Sequence, residues 1–352
     1  MVPGTAVEDD LVDISDDDLG LVADEDKRAL KRLRDAIWTR ECAVWVGAGV
    51  SKPLHGSWDD LVGGFEQKTG LSHQTGEREP DFFQRCKDAL ETQARGSYKD
   101  ALEDLFSTIN YDQQALDNHY QLVFAGFASY ITTNYDLCLE RAAEVDSGLV
   151  GQYRAWPDDM PHRGLGAYHS RHLYHIHGVR GTDNGRYPVP CGFPNVVLAS
   201  NEYRRAYRDD DRLAEFLRCV FSETSVLFCG CSLNEQELPQ VLRSFAEARE
   251  RIWRTLEDLG GRPNSREHFV LKPCPATRIR DGNRQLVRFS RRAAERVREQ
   301  AVSPFSSYLP HFQLVPILYA QGESEGHHYL NQILRFLARK ASYNRIRSAE
   351  RP

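Results

Sequence analysis

The apolar residues of this chain recur with two periods, and the two alternate along its length. Short runs with almost no polar interruption, Cys42–Val46, Ser129–Thr133, Arg171–Gly178, Ser225–Cys229, His268–Leu271 and Phe312–Tyr319, predict buried strands. Between them the apolar positions fall at helical spacing. Leu30, Leu33 and Ile37 mark a helix over Lys27–Arg40, and similar patterns predict helices at Leu137–Ala143, Asn201–Arg208, Leu213–Phe221, Glu235–Trp253 and Tyr329–Lys340. Strand and helix in alternation imply an α/β fold, a Rossmann-like, mostly parallel sheet with helices on both faces. Residues 57–128 read differently. Four helices, Trp58–Lys68, Asp81–Thr92, Tyr98–Ser107 and His119–Ala125, follow one another without a strand, which predicts a helical module inserted into the domain. Gly148–Ser170 and Pro188–Val197 read as loops, and Pro316 within the last strand predicts a break or an edge.

Charge and composition narrow this picture. Residues 1–26 hold ten acidic side chains and no basic one, an expected disordered tail, with the folded domain over 27–340 and a second tail at 341–352. Although the net charge is −6, the remainder is therefore net basic by four, and Arg278–Glu299 carries eight arginines against three acids. A solvated helix face explains such a cluster; direct nucleic-acid contact through Arg278–Arg298 is the alternative. The eight cysteines are scattered with no Cys-x-x-Cys pair, which points to reduced thiols and a cytoplasmic location. No apolar run is long enough to span a bilayer, so no membrane partner is expected.

The candidate chemistry lies where predicted strands end. The first ends in Gly47-Ala-Gly-Val-Ser51, a turn that can bring bare backbone against a phosphate. The second ends in Thr132-Thr-Asn-Tyr-Asp136, at the end of the sheet where ligands of open α/β folds gather; Asn134 or Asp136 could equally cap the following helix. The third ends in His177-Gly178 and a later one in Gly230-Cys-Ser-Leu233. Histidines 162, 169, 172, 175 and 177 suggest a metal site, but in a strand 172 points away from 175 and 177, and no Cys or Glu stands at a recognised ligand spacing. No metal is expected.

In this order and spacing the four strand ends resemble the signatures of the sirtuin superfamily, Gly-Ala-Gly-x-Ser, Thr-Gln-Asn-x-Asp, His-Gly and Gly-x-Ser-Leu, over roughly residues 29–337. His119 matches a histidine common in the helix before the second motif. The departures matter as much. Val179–Arg204 contains only Cys191, so the four-cysteine zinc ribbon of the protein deacylases is absent. Thr133 replaces the usual Gln, and Lys52-Pro-Leu-His-Gly-Ser-Trp58 replaces the stretch that follows the deacylase serine. The pattern is similar to the bacterial sirtuin-like branch associated with antiphage defence, whose members destroy NAD+.

That resemblance implies an NAD+ glycohydrolase, with NAD+ as substrate. It would assign catalysis to Asn134, His177 and Asp136; Asn134 would orient the ribose or a water, His177 would act as base, and Asp136 would fix the nicotinamide side. Gly47, Ala48 and Gly49 amides with Ser51 would hold the pyrophosphate, Thr132 and Thr133 would line the site, and Gly230 and Ser232 would meet the adenosine ribose. Implied partners are a second copy of the chain, a HerA-like ATPase or an Argonaute-like protein. A non-catalytic NAD+ or ADP-ribose sensor, a deacylase and a nuclease are the competing readings. The nuclease lacks a carboxylate cluster with two-metal spacing, and the deacylase lacks the ribbon.

Overall fold

Cys42–Val46 (β1) contains no charged residue, is buried at all five positions and forms the centre of a parallel sheet. The computed structural model of the chain describes residues 21–51, 58–92, 97–106, 116–144, 153–155, 171–178, 196–233, 238, 241–243, 245–247, 250, 266–281, 284–308, 312–321 and 329–338. β1 pairs in parallel with Tyr130–Thr132 (β2) on one side and Ser225–Cys229 (β5) on the other. Beyond β2 lie Leu173–His175 (β4) and Tyr153–Ala155 (β3), and beyond β5 lies Glu267–Asp281 (β6). The order is β3-β4-β2-β1-β5-β6-β7. Arg284–Phe289 (β7) returns antiparallel on the outer half of β6, and Gln313–Gln321 (β8) pairs in parallel with its inner half.

The period of two along β1 divides the core. Cys42, Val44 and Val46 face a layer holding Leu30, Leu33 and Ile37 of α1 (Lys27–Trp38), Leu122, and Leu330, Ile333 and Leu334 of the closing helical residues 329–338. Trp45 faces the other way, stacked at 8° on Phe221 of the helix Asp211–Glu223 and joined there by Leu213, Phe216, Leu217 and Val220. Helices thus cover both faces. The Asp211–Glu223 helix starts where Asp210 accepts from the Arg212 amide, a side-chain N-cap.

Among its described residues the block between β1 and β2 holds helices and no strand: Ala48–Ser51 (α2), Trp58–Thr69 (α3), Glu79–Thr92 (α4), Tyr98–Phe106 (α5) and Asp117–Ala125 (α6). It splits in two. Phe65, Phe82, Phe83, Cys86, Leu90 and Leu102 give α3–α5 a core of their own, closed by Tyr135, Val196 and Leu198. By contrast, α6 sends Leu122 and Val123 into the main core and ends at Gly126, which caps it at φ 81°. The inserted module is therefore α3–α5, seated over the ends of the strands.

Three expectations change and a fourth is decided. The segment 148–170, read as loop, holds β3, too short for periodicity to show. The arginine-rich stretch from 278 begins in a β-hairpin: β6 runs on to Asp281 and β7 pairs back along it, before the helix Arg291–Val302. Of the break or edge expected at Pro316 the structure shows the edge: among the described residues β8 pairs with β6 and otherwise has only the single Val22–Tyr319 bridge, so a missing amide is tolerated. The acidic segment is docked from Leu21 onward, because the Ala320 amide donates to the Leu21 carbonyl and Asp26 accepts from the Leu318 amide and from Arg298. Residues 1–20, 52–57, 179–195 and the expected tail at 341–352 lie outside the described residues. No described helix is long and apolar enough to cross a membrane.

Candidate functional site

The strand registers align Val46 with Thr132, Thr132 with His175, and Val46 with Cys229. Two residues further along each chain stand Ala48, Asn134, His177 and Cys231. One row at the carboxyl end of the sheet thus gathers all four sequence motifs, as open α/β sheets do with their ligand sites.

Asn134 is fixed from several directions. Its amide donates to Thr132 Oγ1 at 3.0 Å, and Thr132 in turn donates to the Val46 carbonyl at 2.9 Å, locking the turn to β1. Asn134 Nδ2 donates to Ser51 Oγ at 3.1 Å, and Ser51 Oγ lies 2.9 Å from His119 Nε2. An amide nitrogen can only donate, so Ser51 Oγ accepts from Asn134 while it also contacts His119 Nε2. The Asn134 side-chain oxygen then remains as acceptor, with no donor assigned to it among the described residues.

Below Asn134 sits a buried pair. His175 Nδ1 lies 3.2 Å from the Asn134 carbonyl, and His175 Nε2 meets Glu140 Oε1. A carbonyl cannot donate, so Nδ1 carries a proton. Burial disfavours the imidazolium, but the Glu140 carboxylate, as charge and as hydrogen bond, together with the Asn134 carbonyl outweighs it and raises His175 above its ordinary pKa. Glu140 Oε2 has no partner, so the pair is held through one carboxylate oxygen.

His177 lives in different surroundings. Its Nε2 lies 2.8 Å from the Tyr207 hydroxyl, and its ring is edge-on to Tyr203 at 5.2 Å. With no charged partner, burial alone depresses its pKa to about 3, so the ring is neutral at physiological pH. Tyr207 is delivered by a π-helical turn, Arg205–Asp209, that follows the short helix Ser200–Arg204; such turns recur at functional sites. The Val197 amide bonds the His177 carbonyl at 2.9 Å, and Tyr135 OH bonds the Val197 carbonyl at 2.6 Å. His177 is thereby tied to the loop carrying Asn134.

The expected binders separate into two groups. Ser51 and Thr132 are buried and belong to the Asn134 network; Thr133 is half-buried. Two of the turn amides are also engaged: Gly47 N donates to the Cys229 carbonyl and Gly49 N to the Gly230 carbonyl, both at 2.9 Å. Glycine is required there for proximity. A Cβ on Gly47 or Gly49 would stand 2.7 Å from the Gly230 oxygen, and one on Gly230, itself at φ +70°, would stand 2.5 Å from the Val50 amide. Ala48 is exposed. Gly49, Gly230 and the exposed Ser232 line a cavity of about 850 Å³ that lies beyond the end of β5, against the middle of β6 and the last residues of β8. Neither Asn134 nor His177 is among the described residues that line this cavity.

Asp136 Oδ1 accepts from the Cys138 amide at 2.9 Å, at the start of helix Cys138–Ala143, so it serves the helix-start role left open by the sequence. The donor atoms of His119, Asp136 and Cys138 lie within 4.8 Å of one another, all buried, and among the described residues these are where a cation would go. The Cys138 thiol is pushed well above its ordinary pKa by burial, then by the Asp136 charge, which favours a protonated, hydrogen-bonded cluster.

Sequence reasoning missed Glu140, His175 as a support, and Tyr207. His175 carried a signal, a histidine in a predicted buried strand two residues before the motif histidine. Glu140 and Tyr207 carried none, since their meaning depends on which elements become neighbours.

No curated protein matches the chain. Residues 128–286, from the start of β2 into β7, match the SIR2-like domain family, less than half of the 352 residues but including the Asn134, His177 and Gly230 strand ends. Such domains are NAD+-dependent enzymes in general, and the match supports placing this chain in the sirtuin-like superfamily.

Proposed function

We propose that the protein hydrolyses NAD+ at the nicotinamide–ribose bond, releasing nicotinamide, ADP-ribose and a proton. The observation that carries this reading is the placement of Asn134 and His177 on one row of adjacent strand ends, beside the glycine turn and the 850 Å³ cavity. Nicotinamide is already a good leaving group, because breaking its bond to C1′ returns the electron pair to a cationic ring. The protein has to orient the ribose, stabilise an oxocarbenium-like centre and admit one water. The Asn134 oxygen, held by the Ser51 hydrogen bond, accepts from the water or a ribose hydroxyl. His177, neutral through burial, accepts the proton the water loses. Tyr207 shares the nitrogen needed for that step, so substrate entry must displace or re-aim its hydroxyl.

Free NAD+ hydrolysis would be toxic, which supports a gated effector of antiphage defence, switched by self-association or by a partner such as a HerA-like ATPase or Argonaute-like protein. Nicotinamide release from NAD+ by the purified chain, alone and in an assembled state, tests both parts of the proposal. Activity that is the same in a monomer and in every assembly would remove the gating, and no release in any state would remove the hydrolase.

A further inference from the structure

The cavity beside the glycine turn has one feature that neither the motifs nor the SIR2-like match addresses. Among its described lining residues, which include Gly49, Gly230, Ser232, Ser303 and Gln321, there is no aspartate or glutamate, and Lys272 is the sole charged side chain. Lys272 lies within β6, beside Leu318 of β8 and just past the level at which β5 ends. It is half-buried, and its Nζ is held by the carbonyls of Cys231 at 2.8 Å and Ser232 at 3.0 Å.

Those contacts fix the ammonium in place without neutralising it. Carbonyl oxygens satisfy two of its three donors but carry no net charge, and no carboxylate perturbs it. Desolvation therefore lowers its pKa, a cost that an anion in the cavity would offset. Dinucleotide sites choose between their two common substrates at the adenosine ribose. An acidic side chain accepts from a free 2′-hydroxyl and repels a phosphate there, whereas a cation in that place receives the phosphate. Among the described lining residues there is no such acid, and Lys272 supplies the cation.

We propose that Lys272 receives a phosphate on the adenosine half of the ligand, so that the 2′-phosphorylated dinucleotide NADP+ is a substrate at least as good as NAD+. The inference rests on the dinucleotide reading of the site and names its substrate class. Ser232, whose carbonyl holds the ammonium, presents its exposed side chain to the same cavity as a further donor to the phosphate.

The test separates binding from turnover. Adenosine 2′,5′-bisphosphate and ADP carry two phosphates each, differing in whether one sits on the 2′ position. Calorimetric titration of the full-length protein should show the 2′,5′-bisphosphate binding at least tenfold more tightly than ADP. Lys272→Met should bring the two within about twofold of each other, and Lys272→Arg should keep most of the preference. Equal binding by the wild type, no binding of either, or a Lys272→Met variant that weakens both ligands alike would overturn the proposal; the last would make Lys272 a brace for the Cys231–Ser232 turn. If the bisphosphate preference holds while neither NAD+ nor NADP+ releases nicotinamide, the hydrolase reading fails and the phosphate site stands.

Discussion

Asn134 owes its orientation to Ser51, and Ser51 to His119, so the reach of this network can be measured one side chain at a time. Ser51→Ala removes the acceptor for Asn134 Nδ2 and the hydrogen-bond partner of His119 Nε2 inside the core. It should cost about 1–3 kcal/mol in denaturant unfolding, and lower kcat more than it raises KM. A normal kcat in a folded variant would show that Asn134 needs no such hold. The two histidines of β4 and its turn predict opposite responses to pH. His177, depressed to about 3, stays neutral in the fold while the unfolded chain takes a proton near 6.5. Its contribution is therefore full above 6.5 and is lost as pH falls toward 3, amounting to about 2 kcal/mol between pH 7 and 5. His175 is raised, so its contribution is full below 6.5 and is lost as pH climbs through its folded value. Comparing wild type with His177→Asn by urea unfolding at pH 7 and 5 isolates the first effect; identical losses in the two proteins would refute it. The His119–Asp136–Cys138 cluster is expected to be a hydrogen-bonded one. Metal analysis of purified protein should find far less than one zinc per chain, and one zinc that disappears with His119→Ala would contradict that.

At the scale of elements, the glycine turn is a packing device before it is a binding one. Gly47 and Gly49 let the turn after β1 lie against the Gly230 backbone, and Gly230 at φ +70° meets them from the other side. Gly230→Ala combines left-handed strain with a Cβ placed against backbone. It should destabilise the protein by about 2–4 kcal/mol, seen as a lower melting temperature, whereas Gly63→Ala, with open space around it, should be close to neutral or stabilising. This shows what the residue types could reveal. β1, β5, the parallel sheet and the motif at each strand end were legible, because buried strands and small turn residues leave local signatures. What the turn amides bond to was not, since their carbonyl partners come from β5, far along the chain. Likewise the β6–β7 hairpin places arginines on both strands, where composition suggests a solvated helix, and the three-residue β3 is too short to show alternation.

On the scale of the molecule, the first docked residues close the sheet's edge. The carbonyl of Leu21 takes the Ala320 amide, Val22 bridges to Tyr319, and Arg298 joins Glu25 and Asp26 to the helix Arg291–Val302. One arginine of the basic cluster is therefore part of the fold, which lowers the charge left for an acidic partner. Asp26→Ala would leave the Leu318 amide without its acceptor and the Arg298 guanidinium with Glu25 alone, at about 2–4 kcal/mol in unfolding experiments; a change under about 0.5 would show that this edge is held by other contacts. The central claim concerns what happens at the other end of the sheet, and nicotinamide release tests it most directly. Wild type, Asn134→Ala and His177→Ala, each shown to be folded, are incubated with NAD+ and NADP+ and the nicotinamide is quantified. The account predicts release by the wild type in its assembled state and at least a hundredfold loss in each variant, the scale expected for groups acting on the transition state. Wild-type rates retained by both variants, or no release by the wild type in any state, would contradict it.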